Sequence, residues 1–261
     1  MANGETHLEK YVKSIEWLRE ELLEMDNLAK TLIMGITDWD DSVCVDFEGV
    51  IVASCDGPYT KRLVMKSALI HAATDVIVKG AAPLFALDCL AGSEKEVREM
   101  AKSLKKQALA ISLPILGGNT KIEDDLEPSA SITVIGKLFV KNPIRDSGAK
   151  RGDVLALLGE PIWGGQNERI EKAKTLFSAW FAIIGAGIGI HAAKDVTKGG
   201  LICTAYEISE KSRVEFELLE VPYSVTRNLD NFLVSVSEEE YGKIERICMA
   251  KKCPCLVVGR S

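Results

Sequence analysis

The chain has 261 residues, of which 47% are hydrophobic and 27% charged, and its formal net charge is −6. This length can form one large domain or two modest ones, and the composition is ordinary for a soluble globular protein. The negative charge offers no electrostatic footprint for a nucleic-acid partner, so we expect none.

The N-terminal third combines one long helix with short strands. Residues 1–10 are polar and charged, which is unlike a secretory signal. Apolar residues then recur at helical spacing across residues 8–30, which predicts an amphipathic helix. Two β-like runs follow at 42–47 and 50–55, and Glu48-Gly49 between them predicts a hairpin.

The middle and the end of the chain alternate helices and strands. Ser93 and Glu96 form a capping box that predicts a helix start. Gly185, Gly187 and Gly189 indicate a helix that breaks into a buried strand, so we expect no membrane span at 176–193. Helices are predicted at 66–78, 94–110, 167–184, 199–210 and 238–251, and strands at 84–90, 115–116, 131–140, 154–158, 214–218, 232–236 and 255–258.

Strands and helices that are segregated in this way, with an early hairpin, favour an α+β fold over a doubly wound parallel sheet. The polar, turn-rich stretch at 141–153 predicts a domain boundary. The expected organisation is an N-terminal helix at 1–34, a first domain at 35–141 and a second domain at 142–261.

Carboxylates lie at or beside the ends of several predicted elements: Asp40, Asp41, Asp56 and Asp75. Hard cations such as Mg²⁺ take oxygen ligands and bridge carboxylates to phosphates. Phosphoryl transfer depends mainly on positioning and charge neutralisation, which convergent acids on a metal–ATP complex supply. The alternative is that each acid is a solvated cap or turn residue.

Glycine-rich turns and nearby lysines extend this pattern. The turn Gly117-Gly118-Asn119-Thr120 follows a predicted strand. Asp195 to Leu201, with Gly199 and Gly200, leads into a helix whose N-terminus could face an anion. Asp195 is a candidate for acid–base work or substrate orientation, and a plain N-cap is the alternative. Lys61 and Lys79 are candidate phosphate-neutralising cations or plain surface lysines.

The seven cysteines form no Cys-x-x-Cys pair, and their odd number indicates neither a zinc site nor a disulfide framework. Most lie in apolar runs, where a thiol acts as a small hydrophobe. Cys253-Pro254-Cys255 is the exception, because closely spaced thiols can be redox-active. A reducing cytoplasm fits this usage. His191, alone after an apolar run, is expected to be a hydrogen-bonded core residue more often than a functional one.

The order of these turns resembles a superfamily of ATP-dependent enzymes. Its members include aminoimidazole ribonucleotide synthetase (PurM), selenophosphate synthetase, thiamine-monophosphate kinase and the hydrogenase maturation factor HypE. The resemblance runs from about Ile36 to Gly259. The segment 80–88 is most similar to the ribonucleotide synthetase, whereas 118–122 and 191–201 are most similar to HypE.

The resemblance implies a PurM-like two-domain architecture. The N-terminal domain would contribute strands to a barrel at a homodimer interface, and an α+β domain would follow. It implies ATP and Mg²⁺ as cofactors, with Asp41, Asp56 and Asp75 holding metal and phosphates. The turn 117–120 would lie against the nucleotide, and Asp195 would serve the acceptor. The expected reaction phosphorylates an amide, carbamoyl or carboxyl oxygen, or a phosphate, of a small-molecule or protein-borne acceptor.

Three departures from the family pattern leave other functions open. Trp39 replaces a glycine, Thr74 stands where a polar amide is common, and Asn119 replaces an aspartate. Fewer negative charges weaken metal affinity, so a member that binds nucleotide or a partner without turnover is the main alternative. A small-molecule sensor is another. The last residue is Ser261 and not a tail cysteine, so we do not expect HypE chemistry on the chain's own tail. Selenophosphate synthesis is not expected either, because no Cys-Lys segment precedes the first acids.

Overall fold

A computed structural model describes residues 16–38 and 44–261 of the protein. The predicted residues Asp40 and Asp41, the departure at Trp39 and the first half of the N-terminal helix lie outside the described residues. The helices are α1 (Glu16–Leu22), α2 (Lys61–Val64), α3 (Ala68–Ile77), α4 (Glu94–Ile111), α5 (Gln166–Gly185), α6 (Gly200–Ser212) and α7 (Glu238–Ala250). Short 3₁₀ helices occur at Leu23–Leu28 and Ile36–Asp38.

The strands agree in most places with the sequence-based expectations. They are β1 (Leu32–Met34), β2 (Cys44–Val45), β3 (Ile51–Thr60), β4 (Ala81–Gly92), β5 (Ile115–Ile122), β6 (Ser129–Leu138), β7 (Asp153–Leu158), β8 (Ile190–Asp195), β9 (Glu217–Leu218), β10 (Phe232–Ser237) and β11 (Cys255–Arg260). The Ser93 capping box is confirmed, since Glu96 Oε2 accepts from Ser93 N at 3.3 Å and from Ser93 Oγ at 2.8 Å.

The predicted hairpin at 42–55 is wrong. Strand β2 pairs antiparallel with β1, with Val45 opposite Leu32. The backbone N–H of Asp46 continues that pairing by donating to Thr31 O at 2.8 Å. Strand β3 belongs instead to a four-stranded sheet of order β3-β6-β4-β5. Because β2 already pairs with β1, the turn at Glu48-Gly49 connects two different sheets and does not close a hairpin.

The chain divides into two compact units. The first comprises Cys55–Leu69, Leu84–Thr133 and the described residues of Met1–Glu48. Within it, β4 and β5 are parallel neighbours, with Asp88 opposite Gly118 and Cys89 opposite Asn119. Helix α4 returns the chain between these two strands, as a parallel pair requires a crossover connection.

The second unit comprises Gly49–Ser54, Ile70–Pro83 and Val134–Ser261. Its sheet has the order β8-β10-β7-β11-β9 and is antiparallel throughout. All six residues of β7 are buried, so both faces of this sheet are covered. Leu155 and Leu157 join a cluster with residues of α6. On the other face, Phe232 contacts Trp180 of α5 at 5.2 Å between ring centroids.

Strands and helices mixed in two units confirm the α+β expectation. The barrel at a homodimer interface and the boundary near residue 141 stay predictions. None of the helices in the described part of the chain is both long enough and apolar enough to cross a membrane.

Gln107 is a buried polar residue that organises the first unit. Its Oε1 accepts the backbone N–H of Leu69 at 3.0 Å, and its Nε2 donates to Val64 O at 2.8 Å. The first N–H groups of a helix have no partner within the helix. Gln107 therefore satisfies an orphan donor at the start of α3 from across the unit.

We expect Gln107→Met to lower the free energy of unfolding by about 1–3 kcal/mol, because the buried Leu69 N–H loses its acceptor. Urea unfolding monitored by circular dichroism measures this. Lys106→Met, at the exposed neighbouring position, is the matched control and should change stability little. Equal stability of the two variants would contradict the assigned role of Gln107.

Candidate active site

Helix α3 presents polar side chains on one face of an otherwise buried helix. His71, Thr74 and Asp75 are spaced at i, i+3 and i+4, so they lie on the same side. The intervening Ala72, Ala73 and the following apolar residues are fully buried. The indole N–H of Trp180 donates to Ile77 O at 2.7 Å and holds the end of the helix in place.

Asp195, the last residue of β8, lies against this polar face. Its side chain is 3% exposed. The hydroxyl of Thr74 is 3.3 Å from Asp195 Oδ2 and 2.6 Å from the carbonyl oxygen of His71. A hydroxyl carries a single proton. When that proton is given to the nearer carbonyl, a hydrogen bond between Thr74 and Asp195 requires a proton on Asp195.

The surroundings raise the pKa of Asp195 to about 6. Burial is the largest cause, because it removes the charged form from water, and the negative charge of Asp75 is the next. Lys194 and His71 lower the pKa, and Asp230 raises it further. The carboxyl of Asp195 therefore exchanges a proton close to neutral pH, as acid–base catalysis requires.

His71 forms a pair that was not predicted from the sequence. Its Nδ1 is 2.8 Å from Asp230 Oδ1, and Asp230 is 2% exposed. The backbone N–H of Asp230 donates to Val196 O, and that of Val196 donates to Asn231 O. A buried carboxylate that binds one ring nitrogen fixes the tautomer and orientation of a histidine. The polar dipeptide Asp230-Asn231 directly before an apolar strand was the available signal.

Asp75 is the more accessible acid of the cluster. Its side chain is partly buried, and Asp75 Oδ2 accepts a hydrogen bond from Ser54 Oγ at 2.8 Å. The structure thus brings together two of the predicted site residues, Asp75 and Asp195. Their charges interact strongly enough to raise the pKa of the buried one.

Lys79 is held by an ion pair with Asp146 and donates to Ala193 O at 3.1 Å. Lys211 is 2.9 Å and Lys194 3.9 Å from the same carboxylate. Burial alone would raise the pKa of Asp146, but hydrogen bonds from Lys79 and Lys211 outweigh it and lower the pKa to about 2. The catalytic role of Lys79 stays a prediction, and its observed partner is Asp146.

Gly199 is the N-cap residue of α6 and Gly200 is its first residue, close to the predicted helix start, and packing requires a glycine at 200. Gly200 has φ +86°, and a Cβ there would lie 2.9 Å from Thr226 Oγ1. The N–H of Gly200 donates to Thr197 O, and that of Leu201 donates to Thr226 O. These two N–H groups are therefore engaged with backbone carbonyls. Anion binding at this turn stays a prediction.

His191 is a structural residue in this unit. Its Nδ1 is 2.9 Å from both carboxylate oxygens of Asp153, which is 2% exposed. Asp153 also accepts from Ser235 Oγ at 2.7 Å. The expectation of a hydrogen-bonded histidine is confirmed.

In the first unit, Lys61 pairs with Glu99 at 2.7 Å and Glu96 at 3.7 Å. The hydrogen bond from Lys61 to Glu99 is the largest cause of its raised pKa. Asp56 Oδ1 accepts the N–H of Gly57 at 2.7 Å. Within residues 16–38 and 44–261, no group of three or more His, Cys, Asp or Glu side chains is arranged to hold a metal ion. The predicted ligands Asp40 and Asp41 lie outside these ranges, so the metal site stays a prediction.

The turn 117–120 forms part of β5 and lies beside a buried acid. A Cβ on Gly118 would fall 1.6 Å from Asp88 O and 2.6 Å from Asp88 Oδ1, so only glycine fits. Asp88 is 7% exposed, its Oδ2 has no hydrogen-bond partner among the described residues, and burial raises its pKa to about 7. Asn119 is exposed and Thr120 partly buried. Asp88 was not among the predicted site residues, although it ends the segment that resembles the ribonucleotide synthetase.

Comparison with known proteins identifies the family. The models of the AIR synthase related protein match residues 39–138 with the N-terminal domain and 145–260 with the C-terminal domain. An uncharacterized protein of Methanocaldococcus jannaschii is 37% identical over 100% of this chain and 89% of its own length. The chain therefore belongs to the AIR synthase-related family.

More distant relatives agree with the superfamily that the sequence indicated. A selenide, water dikinase of Caldanaerobacter subterraneus subsp. tengcongensis is 32% identical over 62% of this chain and 50% of the dikinase. The crystal structure of hydrogenase maturation protein HypE in complex with ATP has a TM-score of 0.72 at 17% identity. That similarity covers 94% of this chain and 85% of HypE, and it shows that the fold is shared.

The raised pKa of Asp195 predicts a pH-dependent effect of Asp195→Asn. An aspartate in the unfolded chain has a pKa of about 3.9. Because folding raises this to about 6, the ionised carboxylate costs stability. The cost is absent below pH about 4 and complete above pH about 6, where it reaches about 2–3 kcal/mol.

We therefore expect Asp195→Asn to gain stability relative to the wild type as the pH rises from 4 to 7. Urea unfolding of both proteins across this range measures the difference. Asp124→Asn, which removes one negative charge from an exposed position, is the control. A stability difference that is independent of pH would rule out the raised pKa.

Proposed function

We propose that the protein is an ATP- and Mg²⁺-dependent enzyme that phosphorylates an oxygen of its acceptor. The acceptor group would be an amide, carbamoyl or carboxyl oxygen, or a phosphate. The observation that carries the proposal is the buried carboxyl of Asp195, whose pKa is raised to about 6 and whose neighbour Asp75 is only partly buried. Strongly shifted carboxyls of this kind cluster at functional sites.

The chemistry explains why such a group is useful. An acceptor oxygen that attacks a phosphoryl group must lose its proton, or a leaving oxygen must gain one. A carboxyl that titrates near the working pH is ionised often enough to accept a proton and basic enough to hold it. The hydroxyl of Thr74 lies 3.3 Å from Asp195 Oδ2, and the charges of His71 and Asp230 act on the pKa of Asp195 in opposite directions. Asp195 would act as the base or acid on the acceptor.

The remaining acids suit a hard cation. Carboxylate and hydroxyl oxygens are the donors that Mg²⁺ takes, and Asp75 with Ser54 presents both at a partly exposed position. Asp56, which belongs to the first unit, stays a predicted metal ligand. When bound, Mg²⁺ would neutralise the phosphate charge of ATP. Gly117 to Thr120 would lie against the nucleotide, as the family resemblance implies, and the HypE complex with ATP supports nucleotide binding by this fold.

The ion pairs of two lysines favour a second function, which is binding without turnover. Lys61 and Lys79 were the candidates for neutralising phosphate charge, and both are held in ion pairs with carboxylates. Asn119 in place of an aspartate removes a further charged ligand. These features favour a family member that binds nucleotide or a partner protein without turnover.

We expect Asp75→Ala to weaken Mg·ATP binding at least tenfold, since even outer partners of metal ligands contribute about 10–100-fold to affinity. Isothermal titration calorimetry with ATP and Mg²⁺ measures this. Asp124→Ala is the matched control and should bind like the wild type. If wild type and Asp75→Ala bind equally, or neither binds, the nucleotide site proposed at Asp75 is wrong.

We expect Asp195→Asn to lower ATP turnover by about 10²–10⁴-fold while nucleotide affinity is retained, because general acid–base catalysis contributes this much. Phosphate release at saturating Mg·ATP measures turnover. Wild-type turnover should change with pH around 6, rising if Asp195 acts as a base and falling if it acts as an acid, and this dependence should disappear in the variant. Binding by the wild type without any turnover would favour the second function.

A further inference from the structure

The segment that precedes β10 holds its backbone in a conformation that residues other than glycine rarely adopt. Asn228 and Asp230 both lie in the left-handed region, with φ +50° and φ +54°. The other non-glycine residues of this kind in the described part of the chain, Ser112, Arg213 and Lys252, follow helix ends, where the conformation is common. Backbone strain away from such ends persists only where the surrounding structure enforces it, and it clusters at functional sites.

Backbone hydrogen bonds attach this segment to the end of β8. The N–H of Asn228 donates to Thr197 O at 2.8 Å, and the N–H of Asp230 donates to Val196 O at 3.0 Å. Val196 and Thr197 directly follow Asp195 in the chain. The segment that carries the buried acid Asp230 is therefore fixed to the strand end that carries the buried acid Asp195.

The carboxylate of Asp230 is covered by the imidazole of His71. His71 Nδ1 lies 2.8 Å from Asp230 Oδ1. An ionised carboxylate only accepts hydrogen bonds, so this contact requires a proton on Nδ1. The imidazole side chain is 14% exposed, whereas that of Asp230 is 3% exposed. The ring is therefore the member of the pair that a bound molecule can reach.

His71 lies among the other acids of the candidate active site. It is four residues before Asp75, so the two side chains are neighbours on the surface of α3. The hydroxyl of Thr74 connects it to Asp195, at 2.6 Å from His71 O and 3.3 Å from Asp195 Oδ2. A molecule bound at Asp75 and Asp195 is therefore within reach of the imidazole.

A second histidine pair in the same unit has a purely structural geometry. His191 Nδ1 lies 2.9 Å from Asp153 Oδ1, and its Nε2 lies 3.0 Å from Lys150 Nζ. An ammonium group only donates hydrogen bonds, so both ring nitrogens of His191 bind residues of the protein. His191 therefore serves as an internal reference for a histidine that does not act on a substrate.

We propose that His71 and Asp230 are a second functional pair of the candidate active site. Asp230 is a positioning residue, which holds the imidazole in one orientation with the proton on Nδ1. His71 is the residue that contacts the bound substrate. This role rests on the proposed function, because it concerns the same site and the same reaction.

Nitrogen-15 NMR of the histidine rings at alkaline pH tests the positioning role. The untagged chain has three histidines, His7, His71 and His191, so His→Gln variants assign each ring. We expect the proton of His71 on Nδ1 in the wild type. Asparagine tolerates the left-handed backbone, and its amide can donate to Nδ1, so in Asp230→Asn the proton should move to Nε2. The signals of His191 should stay unchanged.

Steady-state phosphate release tests whether the pair serves the reaction. Asp230→Asn should lower kcat by at least about tenfold with little change in KM for Mg·ATP, because the nucleotide itself is held elsewhere. His71→Gln should lower kcat at least as much, whereas His191→Gln should leave it unchanged. Thermal melting checks that the variants fold. If Asp230→Asn does not fold, the wild-type spectrum and the kinetics of His71→Gln decide.

Each contrary result has its own meaning. A wild-type His71 without a proton on Nδ1, or a His71 spectrum unchanged in Asp230→Asn, would overturn the positioning role. Normal kcat in folded Asp230→Asn or His71→Gln would contradict the role of the pair alone and leave the proposed function standing. Wild-type protein without turnover would contradict the proposed function and this role with it.

Discussion

The burial of the Asp195 carboxyl is the constraint on which the second unit depends. A carboxylate removed from water is costly unless it is paired or protonated, and a second carboxylate nearby adds to that cost. Groups near Asp195 offset this cost. Thr74 offers a hydrogen bond, while His71 and Lys194 supply opposing positive charge. Helix α3 must be buried for these groups to reach Asp195, which explains why its remaining residues are so uniformly apolar.

The Asp146 cluster is linked to this site through Lys194. Lys194 directly precedes Asp195 in β8, and its amine lies 3.9 Å from the carboxylate of Asp146 and 3.5 Å from that of Glu207. Its positive charge is therefore shared between those acids and Asp195, whose pKa it lowers. Lys79 and Lys211 are the nearer ion-pair partners of Asp146, so the charge of Asp146 does not depend on Lys194 alone. In this way, the ion-pair cluster around Asp146 is connected through Lys194 to the pKa of the buried Asp195.

Sequence patterns correctly predicted the helix starts and ends that depend on neighbouring residues. The Ser93 capping box, the break after Gly185 and the helix that starts after Ser237 each depend on neighbouring residues, and each was confirmed. The His71–Asp230 pair was missed because its members are 159 positions apart, and the polar dipeptide at 230–231 gives no indication of its partner. The prediction of a hairpin at 42–55 failed because the true partner of β2 is β1, a strand at Leu32–Met34 that follows the predicted helix and was not itself predicted. The partners of Lys61 and Lys79 are also distant in the sequence, since Glu99 and Asp146 lie 38 and 67 positions away, respectively.

The glycine turn of β5 shows how one motif can serve packing and binding on opposite faces. Gly118 lies opposite Asp88, and the backbone carbonyl of Asp88 occupies the space that a side chain at 118 would need, with the carboxyl oxygen Oδ1 also close. Successive residues of a strand point to opposite faces. Asn119 therefore projects away from Asp88, on the side where Cys89 is also exposed. The close approach of the β4 backbone at Asp88 explains the glycine at 118 without any ligand, whereas the exposed Asn119 is available to one. A substitution of Asn119 thus tests ligand binding with little effect on the fold. A substitution of Gly118 would disturb packing as well, so it could not distinguish a loss of binding from a loss of structure.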